Sequence, residues 1–392
     1  PSMNSNPLKI SVIAPDLSGG GVARVYLVAI MLQQLGHHVE VVGCRSGENI
    51  YPSPPEGLPV TTVPRKKIPG FTQSVLQVLG KLQGDIIYAI KPRLTSLGIG
   101  YLKQRLSGRP LLVDIDDWEM SWVGGDNYRY HPKFKELVRD ILTPEGKLRN
   151  PEHPFYVQQM ESWVKHADAV TVTTQFLQRR FGGFYLPNGK DTDCFDPARF
   201  DPEASRQKYG LSGYRVLMFP GTARPHKGLE DLLIALEKLN QSDLKVVIVG
   251  GDKFDDYEDK LLKRWQPWLI KLPRFSMAEM AEVVSAAHVV VVPQRDTLTA
   301  CAQFPLKLAD GMAMAKPILS TRVGDIPDIL GDAGYLVDPS SPDQIAETLP
   351  KIFADLEQAK RKGEAARQQC LQNYSTHAMG KTLSKILEQW QS

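Results

Sequence analysis

A short apolar run that ends near glycine and passes straight into an amphipathic helix occurs twice in this 392-residue chain. The first is "LKISVIAP" followed by "DLSGGGVARVYLVAIMLQQLG" (16–36), and the second is "YRVLMFPG" followed by "TARPHKGLEDLLIAL". Strands that alternate with helices return to the same sheet by right-handed crossovers, so this junction commits each half to a parallel sheet. The remaining runs agree. In the first half they are "HVEVVGC" (38–44), "DIIYAI" (85–90), "PLLVDID" (110–116) and "AVTVTT" (169–174). In the second they are "LKVVIVGG", "WLIKLP", "HVVVVPQ", "KPILST" and "GYLVDP". Val22, Val25, Ala29 and Leu32 share one helical face, and Gly36 supplies a stop.

A chain of this length exceeds one ordinary core. The expected organisation is two tandem Rossmann-like domains facing across a cleft, residues 1–190 and 191–375, with a helix at 376–392 that packs back on the first domain. The join falls at "LPNGKDTDCFDPARFDP" (186–202), rich in proline, glycine and aspartate and short of apolar periodicity. Residues 121–160 are polar and broken by prolines, which reads as a long functional loop.

Charge narrows the function. The net charge is only +3, and the longest basic cluster, Arg65–Lys67, reads as a solvated loop, so nucleic acid is not an expected partner. Cys44, Cys194, Cys301 and Cys370 lie far apart without zinc-ligand spacing and read as reduced thiols of a cytoplasmic protein. No run approaches the roughly 18 apolar residues of a membrane span, and "PSMNSNP" has no apolar signal core. Any membrane contact is therefore expected to be peripheral.

The glycine loop is the first candidate site. A dinucleotide site needs G-x-G-x-x-G/A and an acid about 20 residues on. Here Arg24 takes the third glycine's place, where its bulk is expected to spoil close helix–sheet packing, and Cys44 and Arg45 stand where the acid belongs. Nicotinamide binding is not indicated. Glycines before a helix N-terminus still offer N–H groups to an anion, or form a turn with no ligand. In the second half, Gly221, Arg224, Lys227 and Gly228 join a strand–helix junction. Two cations there suit a diphosphate, one by its bidentate guanidinium and one as a point charge. The alternative is an ordinary loop with two exposed cations. His226 sits in the same loop.

Further on, Thr299 and Pro305 bracket a loop before the helix "LKLADGMAMA", and Asp310 lies about one turn into it. Asp310 either reaches sugar hydroxyls or is a solvated helix acid. "LLVDIDDWEMSW" ends a strand in Asp114, Asp116, Asp117 and Glu119. Leu112, Asp114 and Asp116 share one face, and Asp116 or Asp117 at the carboxyl end is placed where parallel sheets bind ligands. A carboxylate there can orient a hydroxyl or stabilise an oxocarbenium-like transition state, or it can cap the next helix. "DID" also matches an acidic pair that holds a divalent metal on a diphosphate. His131 and His153 fall in the 121–160 segment and are candidates to line an acceptor site.

Arg224 with Lys227, "PLKLADGMAMAKPILST" and "LPNGKDTDCF" resemble the family-4 retaining glycosyltransferases of GT-B architecture over nearly the whole chain, in a subset with Pro-x-Lys before the ribose-binding helix. The motif Pro187-Asn188-Gly189-x-Asp191-x-x-x-Phe195 is the most specific part. The resemblance implies that Gly20, Gly21, Arg224, Lys227, Phe304, Leu306, Lys307 and Asp310 bind a nucleotide diphosphate sugar, Asp310 through the ribose. It implies that Arg224 and Lys227 also act in catalysis, with transfer of a hexosyl unit to a hydroxyl acceptor and no cofactor or metal, because the cations and helix dipoles do the metal's work; Asp116 and Asp117, the catalytic candidates read from the strand end, stand where many relatives place a histidine. One departure is Ala302, which stands where the family carries the first of two glutamates. Two other classes stay open: a twin-Rossmann epimerase or phosphorylase, and a non-catalytic binding or scaffold protein.

Overall fold

The computed structural model describes residues 6–19, 21–250 and 255–392. The chain divides into two compact units, residues 1–187 with 379–392, and residues 188–378. Strands of the first unit are β1 Lys9–Ala14, β2 His38–Arg45, β3 Val60–Pro64, β4 Ile86–Ile90, β5 Leu111–Ile115, β6 Ala169–Val172 and β7 Phe184–Tyr185. They form one parallel sheet in the order β3-β2-β1-β4-β5-β6-β7. The second unit has β8 Arg215–Phe219, β9 Leu244–Val249, β10 Leu269–Leu272, β11 Val289–Val292, β12 Ile318–Thr321 and β13 Tyr335–Val337. Its parallel order is β10-β9-β8-β11-β12-β13.

The inner strands are apolar on both faces, as parallel sheets covered on both sides require. β4 and β11 are buried at every residue. Strand order reverses between β1 and β4 and again between β8 and β11, and at such a switch point the loops at the carboxyl ends part and leave room for a ligand. Residues of the Val22–Gln34 helix cover β1, joined by Met379, Leu383, Ile386 and Leu387 from the end of the chain. All six apolar runs of the second half are strands. β3 and β7 were not legible, because both are edges. β3 shows a single buried residue and ends in proline, and β7 is two residues long.

Two local expectations are corrected. The 121–160 segment is largely ordered into the helices Phe134–Leu142 and Pro154–Trp163 with short 3₁₀ turns between. Pro154 is the first residue of its helix, where a missing N–H costs nothing, and His153 caps that helix by accepting from the Phe155 N–H at 3.2 Å. Residues 298–302 are also helical, with Thr297 Oγ1 as the cap.

The larger correction concerns Arg24. Its guanidinium is 3% exposed, wedged between the first helix and the sheet without spoiling their packing. Nε donates to Asp114 Oδ2 at 2.9 Å and Nη2 to Asp114 Oδ1 at 2.7 Å, while Nη2 also reaches the Leu186 carbonyl. Asp114 therefore belongs to the interior and not to the group of acids open to ligand. The Thr171 hydroxyl donates to the same carboxylate at 2.6 Å and accepts from Tyr88, which fixes its proton. Bulk is tolerated because the charge is matched on arrival. Arg24→Met leaves a buried carboxylate uncompensated and is expected to cost about 3–5 kcal/mol, while Arg24→Met with Asp114→Leu costs less than the two single changes summed. Urea unfolding of the four proteins of that cycle checks it. Additive losses contradict the coupling.

Candidate functional site

In the second unit the site grows from the end of β8. The chain leaves Phe219, passes Gly221 and makes a 3₁₀ turn at Pro225–Lys227 before the Leu229–Leu239 helix. Gly228 is obligatory there: its φ is +76°, and a Cβ would meet the Pro293 carbonyl oxygen at 1.8 Å. The neighbouring loop is tied to the turn by Arg295, which forks onto Asp231 at 3.0 and 3.1 Å and donates its N–H to the His226 carbonyl. Sequence reading did not find this clamp, since Asp231 and Arg295 are 64 residues apart.

Lys227 is consequently held over a pocket of about 150 Å³. Gly221, Lys227, Phe304, Leu306 and Lys307 all line it, so four of the expected donor residues meet at one place. Lys227 Nζ donates to the Thr222 carbonyl at 3.1 Å. Burial, together with Arg224 and Lys307, pulls its pKa down to about 8. Arg224 begins the same turn and is half-buried. His226 is likewise kept low by burial and by Lys227 and Arg224.

Asp310 is buried one turn into the Leu306–Ala313 helix. It is ion-paired with Lys190 and lies 3.6 Å from Lys307 Nζ. Lys190 comes from the Asn188–Phe195 stretch, whose sequence signature now has a physical basis. A Cβ at Gly189 would sit 2.8 Å from Thr376 Cα, Asp191 Oδ1 accepts from the N–H groups of Asp193 and Cys194, and Phe195 is buried beneath the Lys190 ammonium at 3.7 Å. The motif thus delivers a lysine to Asp310. Lys190 stood inside the quoted motif but carried no signal of its own.

In the first unit, the carboxyl ends of β4 and β5 line a second pocket of about 560 Å³. Gly21, the cap of the first helix, is on its rim; Gly20 lies outside the described residues. A chain of charges crosses its wall. Lys91 Nζ contacts Asp116 at 2.7 Å and Glu119 at 3.7 Å, Arg93 holds Glu119 at 2.6 Å and Glu152 at 3.3 Å, and Arg65 pairs with Glu152. Arg65 is thereby removed from the solvated basic run that the sequence suggested. Burial opposes ionisation of Asp116, but Lys91 overrides it and holds the carboxyl below its ordinary range. Asp117 lines the same pocket and accepts from the Trp122 indole at 3.0 Å. Lys91 and Arg93 were missed because the "KPR" after β4 has no motif spacing.

The two lysines contrast. Lys91 keeps its proton, and its pKa rises, because Asp116 and Glu119 outweigh burial. Lys227 is only half-buried, and its electrostatic neighbours are cations. Among the described residues, no group of three or more His, Cys, Asp or Glu is placed to hold a metal ion.

Two Rossmann-like parallel sheets define the GT-B class of glycosyltransferase fold. Residues 19–190 match the family described as glycosyl transferase 4-like domain, and residues 201–369 match glycosyl transferases group 1. Both parts of the chain therefore match glycosyltransferase domain families. It is similar to a GDP-mannose-dependent alpha-(1-6)-phosphatidylinositol monomannoside mannosyltransferase of Mycolicibacterium smegmatis, 27% identical over 242 residues, 56% of this chain and 62% of that protein. The chain therefore spans less than two thirds of that relative. It is also similar to a D-inositol 3-phosphate glycosyltransferase of Corynebacterium urealyticum, 25% identical over 379 residues, 90% of this chain and 81% of that one. In fold it resembles Anabaena Alr3699/HepE, solved with UDP and glucose, at TM-score 0.73, 16% identity and coverage of 97% of this chain and 99% of that one.

The lysine contrast is testable by proton linkage. An anion at Lys227 raises its pKa back towards the ordinary value, so near pH 8 binding of UDP or GDP takes up a proton, and affinity falls as pH rises further. Calorimetry in buffers of different ionisation enthalpy measures the uptake. Lys227→Met is expected to remove it, and unchanged uptake in that variant contradicts the assignment.

Proposed function

We propose that the chain is a retaining, metal-independent glycosyltransferase that moves a hexosyl unit from a nucleotide diphosphate sugar to a hydroxyl acceptor. The observation that carries this reading is Lys227, a half-buried ammonium among cations at the switch point of the second sheet. The GDP-mannose dependence of one relative and the UDP bound to one structural neighbour support a nucleotide sugar as donor.

Arg224 and Lys227 bind the diphosphate, and Lys307 contacts a phosphate or sugar oxygen. Asp310, poised between Lys190 and Lys307, accepts from the ribose hydroxyls. Phe304 and Leu306 form the apolar wall. The first unit's pocket holds the acceptor, with Asp116 fixed and ionised by Lys91 and Asp117 orienting the attacking hydroxyl. In the reaction the bond from the anomeric carbon to the diphosphate oxygen breaks. The acceptor oxygen bonds on the same face, and its proton passes to the departing phosphate, so configuration is retained. Charge grows on the diphosphate as it leaves, which the two cations stabilise more strongly than they stabilise the ground state. Positive charge already supplied by protein makes a metal redundant.

The experiment is product analysis of the purified chain with UDP-, GDP- and ADP-sugars, with the anomeric configuration read by NMR. Arg224→Ala or Lys227→Ala is expected to lower kcat by about 10²-fold or more, and EDTA to leave turnover unchanged. Loss of activity in EDTA defeats metal independence, and an inverted product defeats retention. Donor binding with neither transfer nor hydrolysis identifies a binding protein instead, the outcome suggested by Ala302.

A further inference from the structure

The Phe134–Leu142 helix turns its apolar side outward. Phe134, Leu137, Val138, Ile141 and Leu142 fall at i, i+3, i+4, i+7 and i+8, one stripe of a helix. That stripe faces water: Phe134 is 80% exposed, Leu142 66% and Ile141 47%. Asp140, on the other side, is 2% exposed and bonded to the Tyr130 hydroxyl and to Arg139. The orientation is fixed by more than Asp140. Glu136 accepts from the Lys133 N–H at 2.9 Å, Arg149 Nε donates to the Ile141 carbonyl at 2.9 Å, and the Gly146 backbone lies so close that a Cβ there would meet the Asp140 carbonyl oxygen at 2.3 Å. Polar anchors hold the helix down, and the apolar stripe is what it offers.

The charge around the stripe identifies its partner. Residues 129–149 contain six Lys or Arg and three Asp or Glu, a net of 6 − 3 = +3, which equals the net charge of the entire chain. Lys133 and Lys135 are exposed beside Phe134. The exposed Lys66 and Lys67 are brought alongside, since Lys67 Nζ donates to the Pro144 carbonyl at 3.4 Å and the Ile68 N–H to the Arg149 carbonyl at 2.8 Å. An aromatic and aliphatic stripe bordered by lysines suits a helix lying in the plane of a bilayer interface, its apolar side in the acyl boundary and its ammonium groups among anionic headgroups. Self-association fits poorly, because a two-fold pairing of this patch sets its positive charge against an identical copy.

We propose that the Phe134–Leu142 helix and its flanking lysines form a docking surface for an anionic lipid bilayer. None of its residues is among those assigned to donor or acceptor, so the proposal stands whatever reaction the chain performs. The test is flotation of the full chain with vesicles of phosphatidylglycerol and phosphatidylcholine, against vesicles of phosphatidylcholine alone. The wild-type chain floats with the anionic vesicles and is released by raised salt. Phe134→Ser/Ile141→Ser/Leu142→Ser reduces the bound fraction at least about tenfold, and Lys133→Glu/Lys135→Glu abolishes the preference for anionic lipid. Because the replaced side chains are exposed, the thermal midpoint stays unchanged, which separates lost docking from lost folding. The proposal is overturned if the wild type stays soluble with anionic vesicles, or if the triple serine variant floats equally well. It is also overturned if light scattering shows a dimer that the triple variant disperses while flotation is absent.

Discussion

Parallel strands deliver all their carboxyl ends to one edge, and that constraint organises everything chemical in this chain. Where strand order reverses, beside β1 and β4 and again beside β8 and β11, the loops diverge and leave space that no side chain of the sheet fills. Each switch point has a lysine beneath it, Lys91 after β4 and Lys227 after β8. Burial opposes the charge of both. Acids neighbour the first and cations the second, so their pKa values move in opposite directions.

Buried charge elsewhere follows the rule that makes Lys91 stable. Arg24 and Asp114 are matched in a fork geometry, and Thr171, itself held by the Tyr88 hydroxyl, donates to the same carboxylate. Asp231 and Arg295 repeat the arrangement in the second unit. Against this background, Lys227 stands apart from Lys91 in having cations as its charged neighbours. The Phe134–Leu142 helix departs from a different rule, apolar inside and polar outside, and the departure points to a different kind of solvent.

Much of the fold was legible because parallel strands buried on both faces are continuous apolar runs that periodicity detects. The edges β3 and β7 escaped because half-exposed strands carry mixed composition. Prolines in the 121–160 segment looked like interruptions, yet Pro154 opens a helix, since local sequence does not say on which side of a proline a helix lies. At the site, glycines and cations at strand–helix junctions were visible because backbone geometry demands glycine in the αL conformation, as at Gly228. Lys91, Arg93 and Lys190 were not, because a lone lysine in a loop has the same local sequence whether it is solvated or buried.

The sequence by itself determined the alternation that yields two parallel sheets, the positions of their turns, and the gathering of Gly221, Arg224, Lys227 and Gly228 at one strand end, all properties of neighbours along the chain. Tertiary structure alone decided which charges are paired. Arg24 meets Asp114 across 90 residues and Lys190 meets Asp310 across a sheet's worth of chain, and only those meetings separate a neutralised ion from one that still seeks a partner. Charge is written in the sequence, but its compensation depends on distances of a few ångströms between segments that the sequence holds far apart.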